Sequence, residues 1–169
     1  LRDLTPGEGE VESYAAAPDG KTLYFDTNIG DINRRHIWKT NVENGTAVQA
    51  TFGEGIEMYP GFVGNDWYCF RSTNSTHKQL VKSSADGKTF NPLTTNPPSF
   101  RPEVFLKPEA VTFRAADGKL IHGQLFIDRK IKAKRPGVLF MHGGPTRQML
   151  LGFHYSDYYS FCYAFNQYL

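Results

Sequence analysis

Val138-Leu139-Phe140-Met141-His142-Gly143-Gly144-Pro145 decides how the chain is read, because four apolar residues in a row end abruptly in a turn. A strand wet on one face alternates apolar with polar; one apolar at every position suits coverage on both faces, as in the parallel sheet of an α/β architecture. The turn that follows stands where such sheets present functional groups, at the carboxyl end of a strand. Pro145 has no N–H, so donors in this turn come from the residues before it. Gly143 and Gly144 lack a Cβ, which permits positive φ and a close approach of backbone to a ligand. The Gly144 N–H is therefore the candidate oxyanion donor, with Gly143 forming the turn beside it. His142 either supports the turn or offers its own side chain to the oxyanion. Donors so placed stabilise the negative oxygen that forms when a carbonyl is attacked. The plain alternative is a tight strand-to-helix turn with no catalytic duty.

Downstream, Tyr158, Phe161, Cys162, Phe165 and Leu169 recur at helical spacing, and Ser156 or Asp157 is placed to cap the start. Upstream, residues 109–114 alternate with Val111 and Phe113 on one face, and Asp117-Gly118 turns the chain. Residues 120–127 return with Ile121, Gly123, Leu125 and Ile127 on a single face, which predicts an antiparallel hairpin. A hairpin, one buried strand and one helix hold little core of their own, so the native chain is expected to continue. The Pro-rich stretch Asn96-Pro97-Pro98, Arg101-Pro102 and Lys107-Pro108 cannot continue a sheet and predicts a boundary near residue 105.

Before that boundary the chain repeats itself at about 43 to 45 residues. Val11-Glu12-Ser13-Tyr14 matches Ile56-Glu57-Met58-Tyr59, and Leu23-Tyr24-Phe25-Asp26 matches Tyr68-Cys69-Phe70-Arg71. Ile37-Trp38-Lys39 matches Leu80-Val81-Lys82, and Glu43-Asn44-Gly45 matches Ala85-Asp86-Gly87. Asn-Gly and Asp-Gly favour tight turns because both central positions need φ > 0. Each unit, about residues 9–52 and 54–95, reads as four short strands, the period expected of β-propeller blades. A small β-sandwich of two similar meanders is the competing architecture.

Hydrophobic residues make up 40% and charged residues 21% of the 169, with 13 Phe, 9 Tyr and 2 Trp, a globular composition rich in strand formers. Nineteen basic and 17 acidic residues are spread along the chain, so no basic stripe marks a nucleic-acid partner. The one basic cluster, Asp128 to Arg135, reads as a solvated loop. Cys69 and Cys162 lie in unlike contexts, without C-x-x-C or Cys/His spacing, and indicate neither a disulfide framework nor a metal site. No cofactor is expected. No apolar run reaches a membrane span, and the acidic Gly/Glu stretch behind Leu1 is unlike a signal peptide; the compartment stays undetermined. The Asn44-Gly45-Thr46 and Asn74-Ser75-Thr76 triplets fit a glycosylation pattern that is common by chance. His36, His77, His122 and His154 have no metal-ligand spacing and read as structural.

The order of blade-like repeats, then Pro-Glu-Ala-Val-Thr-Phe (108–113), Asp117-Gly118, His122-Gly123 and Val138 to Pro145, resembles the prolyl oligopeptidase superfamily over nearly the whole chain. The resemblance implies the last blades of a β-propeller at 1–105 and the N-terminal part of an α/β-hydrolase catalytic domain at 106–169. It also implies a serine exo- or oligopeptidase whose propeller restricts access and whose substrate is a short peptide. It is closest to the dipeptidyl-peptidase IV and acylaminoacyl-peptidase branches. Prolyl oligopeptidase and dipeptidyl peptidase IV carry a tyrosine at the place of His142, where its hydroxyl joins the oxyanion hole; this sequence departs from that pattern. A His-Gly-Gly-Pro turn is more like the acylaminoacyl-peptidase group, in which the N–H at the place of Gly144 is the donor. The glutamate pair with which the dipeptidyl-peptidase branch reads a substrate amino terminus has no match here.

Serines stand at 13, 72, 75, 83, 84, 99, 156 and 160, none in a G-x-S-x-G setting. The Ser/Asp/His triad implied by the resemblance therefore lies beyond residue 169, and the chain alone is expected to be inactive. The rival readings are an esterase or lipase, which also use His-Gly-Gly turns, and a non-enzymatic propeller that binds proteins. Exposed strand edges in both halves would favour self-association into a homo-oligomer.

Overall fold

Two successive four-stranded antiparallel meanders occupy the first half of the chain in the computed structural model, which describes residues 3–5, 8–84, 86–144 and 147–169. The first runs β1 (Val11–Ala16), β2 (Thr22–Thr27), β3 (His36–Asn41) and β4 (Ala47–Gln49); the second runs β5 (Ile56–Val63), β6 (Asp66–Ser72), β7 (Gln79–Ser83) and β8 (Phe90–Pro92). Each strand pairs with its sequence neighbour, so hairpin turns dictate the topology. In the first turn Asp19 Oδ1 accepts from the N–H groups of Lys21 and Thr22 at 2.8 and 2.9 Å, while Gly20 takes φ +65°. Those bonds to the charged carboxylate hold Asp19 below the usual range for its acid.

The meanders share one core. Tyr24, Ile37 and Ala50 of the first pack with Phe62, Trp67, Cys69, Val81 and Phe90 of the second. The Tyr24 ring meets Phe62 edge-on at 5.1 Å and Trp67 at 5.3 Å, distances at which aromatic pairs add to simple area burial. Burial pushes the Cys69 thiol far up, which leaves it an inert core group.

Two buried carboxylates bind β5 to the first meander. Asp26 accepts from the Ser13 N–H at 2.9 Å and from the Tyr59 N–H at 2.9 Å, and its second contact to Ser13 is with the hydroxyl. Both donors sit where strand register shifts, between Val11 and Ser13 in β1 and between Met58 and Gly61 in β5. Tyr59 is there held at φ +56°, a left-handed conformation unfavourable for a side-chain-bearing residue. Asp26 thus supplies the acceptor that each bulge would otherwise lack. Glu57, with no exposed surface, receives His36 Nδ1 at 2.8 Å, Thr51 Oγ1 at 3.0 Å and Arg71 Nε at 3.0 Å. Its own N–H donates to the Arg35 carbonyl at 2.8 Å.

After a single 3-10 turn at Pro102–Val104, β9 (Glu109–Arg114) and β10 (Leu120–Leu125) form the expected hairpin, in register from Leu120 opposite Arg114 to Leu125 opposite Glu109. Arg129 returns to clamp Glu109 with two bonds of 2.8 and 2.6 Å. Helix α1 (Asp157–Tyr168) follows, with Ser156 at the N-cap position but making no side-chain cap bond.

Three expectations are corrected. The repeats are present as four-stranded sheets, but the chain is not a run of propeller blades entering an α/β-hydrolase fold. It is mostly β, with one C-terminal helix, no closed ring of sheets and no helix-flanked parallel sheet among the described residues. Second, Val138 to Met141 is not a buried strand: all four residues are exposed, Leu139 to 83%, and no strand pairs with them. A parallel strand needs hydrogen-bonding neighbours and cover on both faces, and the β9/β10 sheet supplies neither at this position. Third, α1 forms with its opposite side inward: Tyr159, Ser160 and Tyr163 are buried, whereas Tyr158, Phe161, Phe165 and Leu169 are exposed. The tyrosines at positions 159 and 163, one turn apart, bury their rings against His154 and against Phe153 and Phe126 and bond main-chain carbonyls, and so outcompete the more apolar stripe. Pro145 lies outside the described residues.

Asp26→Ala removes the acceptor from both bulges and leaves Tyr59 in a strained conformation without its bond. The expected loss is about 2–4 kcal/mol in urea unfolding at neutral pH, with Asp26→Asn, which keeps one acceptor oxygen, losing less. Equal midpoints for Asp26→Ala and the unmodified chain would contradict this role.

Candidate functional site

The segment leading to α1 is fixed through its main chain. The Phe153 N–H donates to the Thr73 carbonyl at 3.0 Å, and the Phe153 carbonyl accepts the Ser72 hydroxyl at 2.6 Å. One residue earlier, a Cβ on Gly152 would stand 2.8 Å from the Thr73 oxygen, closer than real side chains come, so only glycine lets the two backbones meet. The Leu151 N–H donates to the Asn33 carbonyl at 3.0 Å, and Leu150 packs with Ile56 and Met58. From β10, Gln124 Nε2 reaches the Leu150 carbonyl at 2.5 Å.

The helix is pinned from both ends. Lys78 Nζ pairs with Asp157 at 2.8 Å in the first turn, and Gln167 near the other end clasps both the N–H and the carbonyl of Leu106 at 2.8 Å. Between them Tyr163 gives its hydroxyl to the Asn74 carbonyl at 2.7 Å, with its ring against Phe153 at 4.7 Å and Phe126 at 5.5 Å. Burial raises the Tyr163 phenol well above its ordinary value, so it remains a donor throughout the working pH range.

His154, 1% exposed, joins this scaffold to the turn. Its Nδ1 accepts the Ser156 N–H at 2.9 Å, which requires that nitrogen to be bare, and Nε2 then donates to the Gln148 carbonyl at 3.1 Å. Both ring nitrogens are committed in the neutral form. Burial is the main cause that lowers its pKa to about 4. The imidazole stacks on Tyr155 at 4.1 Å and lies 5.2 Å from the ring of Tyr159.

Tyr159 is the side chain that meets the candidate turn. Its hydroxyl donates to the Gly143 carbonyl at 2.6 Å, and its ring stands edge-on to His142 at 6.3 Å. His142 is exposed, with Nδ1 3.2 Å from the same Gly143 oxygen. Gly144 follows at φ +71°, and its carbonyl accepts the Arg147 N–H at 2.9 Å. No hydrogen bond to the Gly144 N–H is made among the described residues. A cavity of about 650 Å³ opens alongside, between β10 and residues 131–142, with His142, Leu125, Val138 and Phe140 on its wall.

The three residues singled out from the sequence are thus contiguous on one side of α1. Sequence reasoning missed Tyr159, which holds the Gly143 carbonyl; His154, read there as structural, packs against the Tyr159 ring. The signal was present in the spacing Tyr155, Tyr159, Tyr163, four residues apart each time. No group of three or more His, Cys, Asp or Glu residues is arranged to hold a metal ion among the described residues. Among them, too, no helix is long and apolar enough to cross a membrane.

No protein-family model matches the chain, and no curated protein matches it. Among solved structures, a similar one is the S527A variant of the AtxE2 isopeptidase with Astexin3-dC4 bound, at a TM-score of 0.49 and 14% identity. The match covers 66% of this chain and 17% of that one, so the chain spans about a sixth of that peptidase's length. A likeness at this level transfers neither fold nor activity.

The neutral His154 makes stability depend on pH with a defined sign. From its ordinary value of 6.5 down to about 4 the unfolded chain takes up a proton that the folded chain refuses. Stability therefore falls as pH drops through that window, by an amount on the order of 2–3 kcal/mol. Urea unfolding from pH 7.5 to 4.5 should show the loss, and His154→Asn, which cannot protonate, should show a smaller slope; identical slopes would assign the acid sensitivity elsewhere.

Proposed function

We propose that this chain belongs to a serine-type peptidase acting on short peptides, in which the His142-Gly143-Gly144 turn stabilises the oxyanion. The observation that carries the reading is the Gly144 N–H: a backbone donor without a partner among the described residues, in a turn whose preceding carbonyl is already occupied. The peptide is trans, so C=O and N–H point in opposite directions. With the Gly143 oxygen turned toward Tyr159, the Gly144 hydrogen faces away from α1. A donor held in this way costs no reorganisation when a carbonyl oxygen acquires charge. The sequence resemblance supplies the reaction class, and in this reading a nucleophile and base from outside the 169 residues complete the site.

Two expectations follow. The 169-residue chain should not react with a fluorophosphonate probe, since an oxyanion donor without an activated serine gives at most weak residual catalysis; stoichiometric labelling of one site would overturn this. In the full-length enzyme, the donor is best removed by placing an ester in place of the amide at residue 144. At φ +71°, proline cannot adopt the turn, and Gly144→Ala keeps the N–H but is strained. Loss of the donor should lower kcat on the order of 10² to 10³, and His142→Phe should lower it much less. If His142→Phe proves the more damaging in well-folded protein, the imidazole holds the oxyanion and the assignment to Gly144 fails.

A further inference from the structure

We infer that Tyr159 is the positioning residue of the oxyanion turn: its hydroxyl, fixed on α1, sets the Gly143–Gly144 peptide plane and thereby aims the Gly144 N–H. This rests on the peptidase reading for its consequence in catalysis but not for its geometry. Between two glycines neither residue has a side chain to restrict rotation of the peptide, and a flip of that unit would exchange the places of carbonyl and N–H. The surrounding residues oppose that flip. Tyr159 is 8% exposed, its ring lies against His154, and its hydroxyl is 2.6 Å from the Gly143 oxygen. His142 Nδ1 lies 3.2 Å from that oxygen but is exposed, and so is the weaker support. A flipped peptide would turn an N–H toward Tyr159, which the hydroxyl oxygen could only accept, leaving the buried hydroxyl's own proton without the Gly143 carbonyl. Hydrogen bonding at the carbonyl also polarises the amide and strengthens its N–H as a donor.

The test combines a structural and a kinetic reading of Tyr159→Phe, which keeps the ring and deletes the hydroxyl. In the 169-residue chain, labelled at Gly143 and Gly144, the Gly143 carbonyl carbon should shift upfield and the Gly144 amide should broaden as the peptide samples both orientations. Replacing Tyr159 by 3,5-difluorotyrosine, a stronger donor with the same ring, should shift the carbonyl the other way, which gives a second reading if the phenylalanine variant folds poorly. In the full-length enzyme Tyr159→Phe should lower kcat roughly tenfold with KM unchanged, and should have little further effect when the residue-144 amide is already an ester. An unmoved Gly143 resonance in folded variants overturns the inference, as does a moved resonance with unchanged kcat while the ester variant is impaired. If the resonance moves and neither Tyr159→Phe nor the ester alters kcat, the hydroxyl holds the turn as described and the peptidase reading is what fails.

Discussion

The Phe153 peptide, with its N–H on the Thr73 carbonyl and its carbonyl on the Ser72 hydroxyl, is the contact on which the far half of the molecule depends. Everything from Leu150 to the end of α1 is attached to the meanders around it. The close approach is possible because Gly152 has no Cβ, and it is reinforced by a ring cluster in which Phe153 meets His77, Phe100, Phe105 and Tyr163. Ser72 and Thr73 lie at and just beyond the end of β6, whose neighbour β5 is fixed by Asp26 and Glu57. A chain of bonded and packed groups therefore runs from two buried carboxylates to the end of a strand, to Phe153, and on to the helix bearing Tyr159.

This arrangement explains why a turn composed largely of glycine can hold one shape. The exposed run before it, Val138 to Met141, contributes no paired strand to support it. Support comes from the other side, where a buried neutral histidine fixes the approach to α1 and a tyrosine reaches across to the Gly143 oxygen. The side chains that give the turn its direction are thus in a different segment from the turn itself.

The two meanders were legible in the sequence because their turns carry Asp-Gly or Asn-Gly at matching offsets between short strand-forming runs. The hairpin at β9 and β10 was legible for the same reason. The run of propeller blades entering an α/β-hydrolase sheet was not realised: the described residues form separate antiparallel sheets with one helix, and no parallel strand pairing. The apolar character of Val138 to Met141 records a demand for cover on two faces, not the presence of that cover. Helix α1 was legible as an element but not in its orientation: Tyr158, Phe161 and Phe165 compete with Tyr159 and Tyr163 for the inward side, and tyrosine with a carbonyl to bond buries as well as phenylalanine. In the turn, Gly144 was legible as a residue free to take positive φ. The anchoring of its neighbour's carbonyl depends on a residue 16 positions away, through a contact that no local pattern records.

The claim that the Gly144 N–H is aimed and free is tested most directly by a crystal structure of the proposed full-length peptidase trapped with a peptide aldehyde on its nucleophile. The account predicts the Gly144 nitrogen about 2.7–3.1 Å from the hemiacetal oxygen, with the Tyr159 hydroxyl still on the Gly143 carbonyl. A hemiacetal oxygen held by the His142 imidazole, with the Gly143–Gly144 peptide turned so that its carbonyl faces the inhibitor, would contradict it.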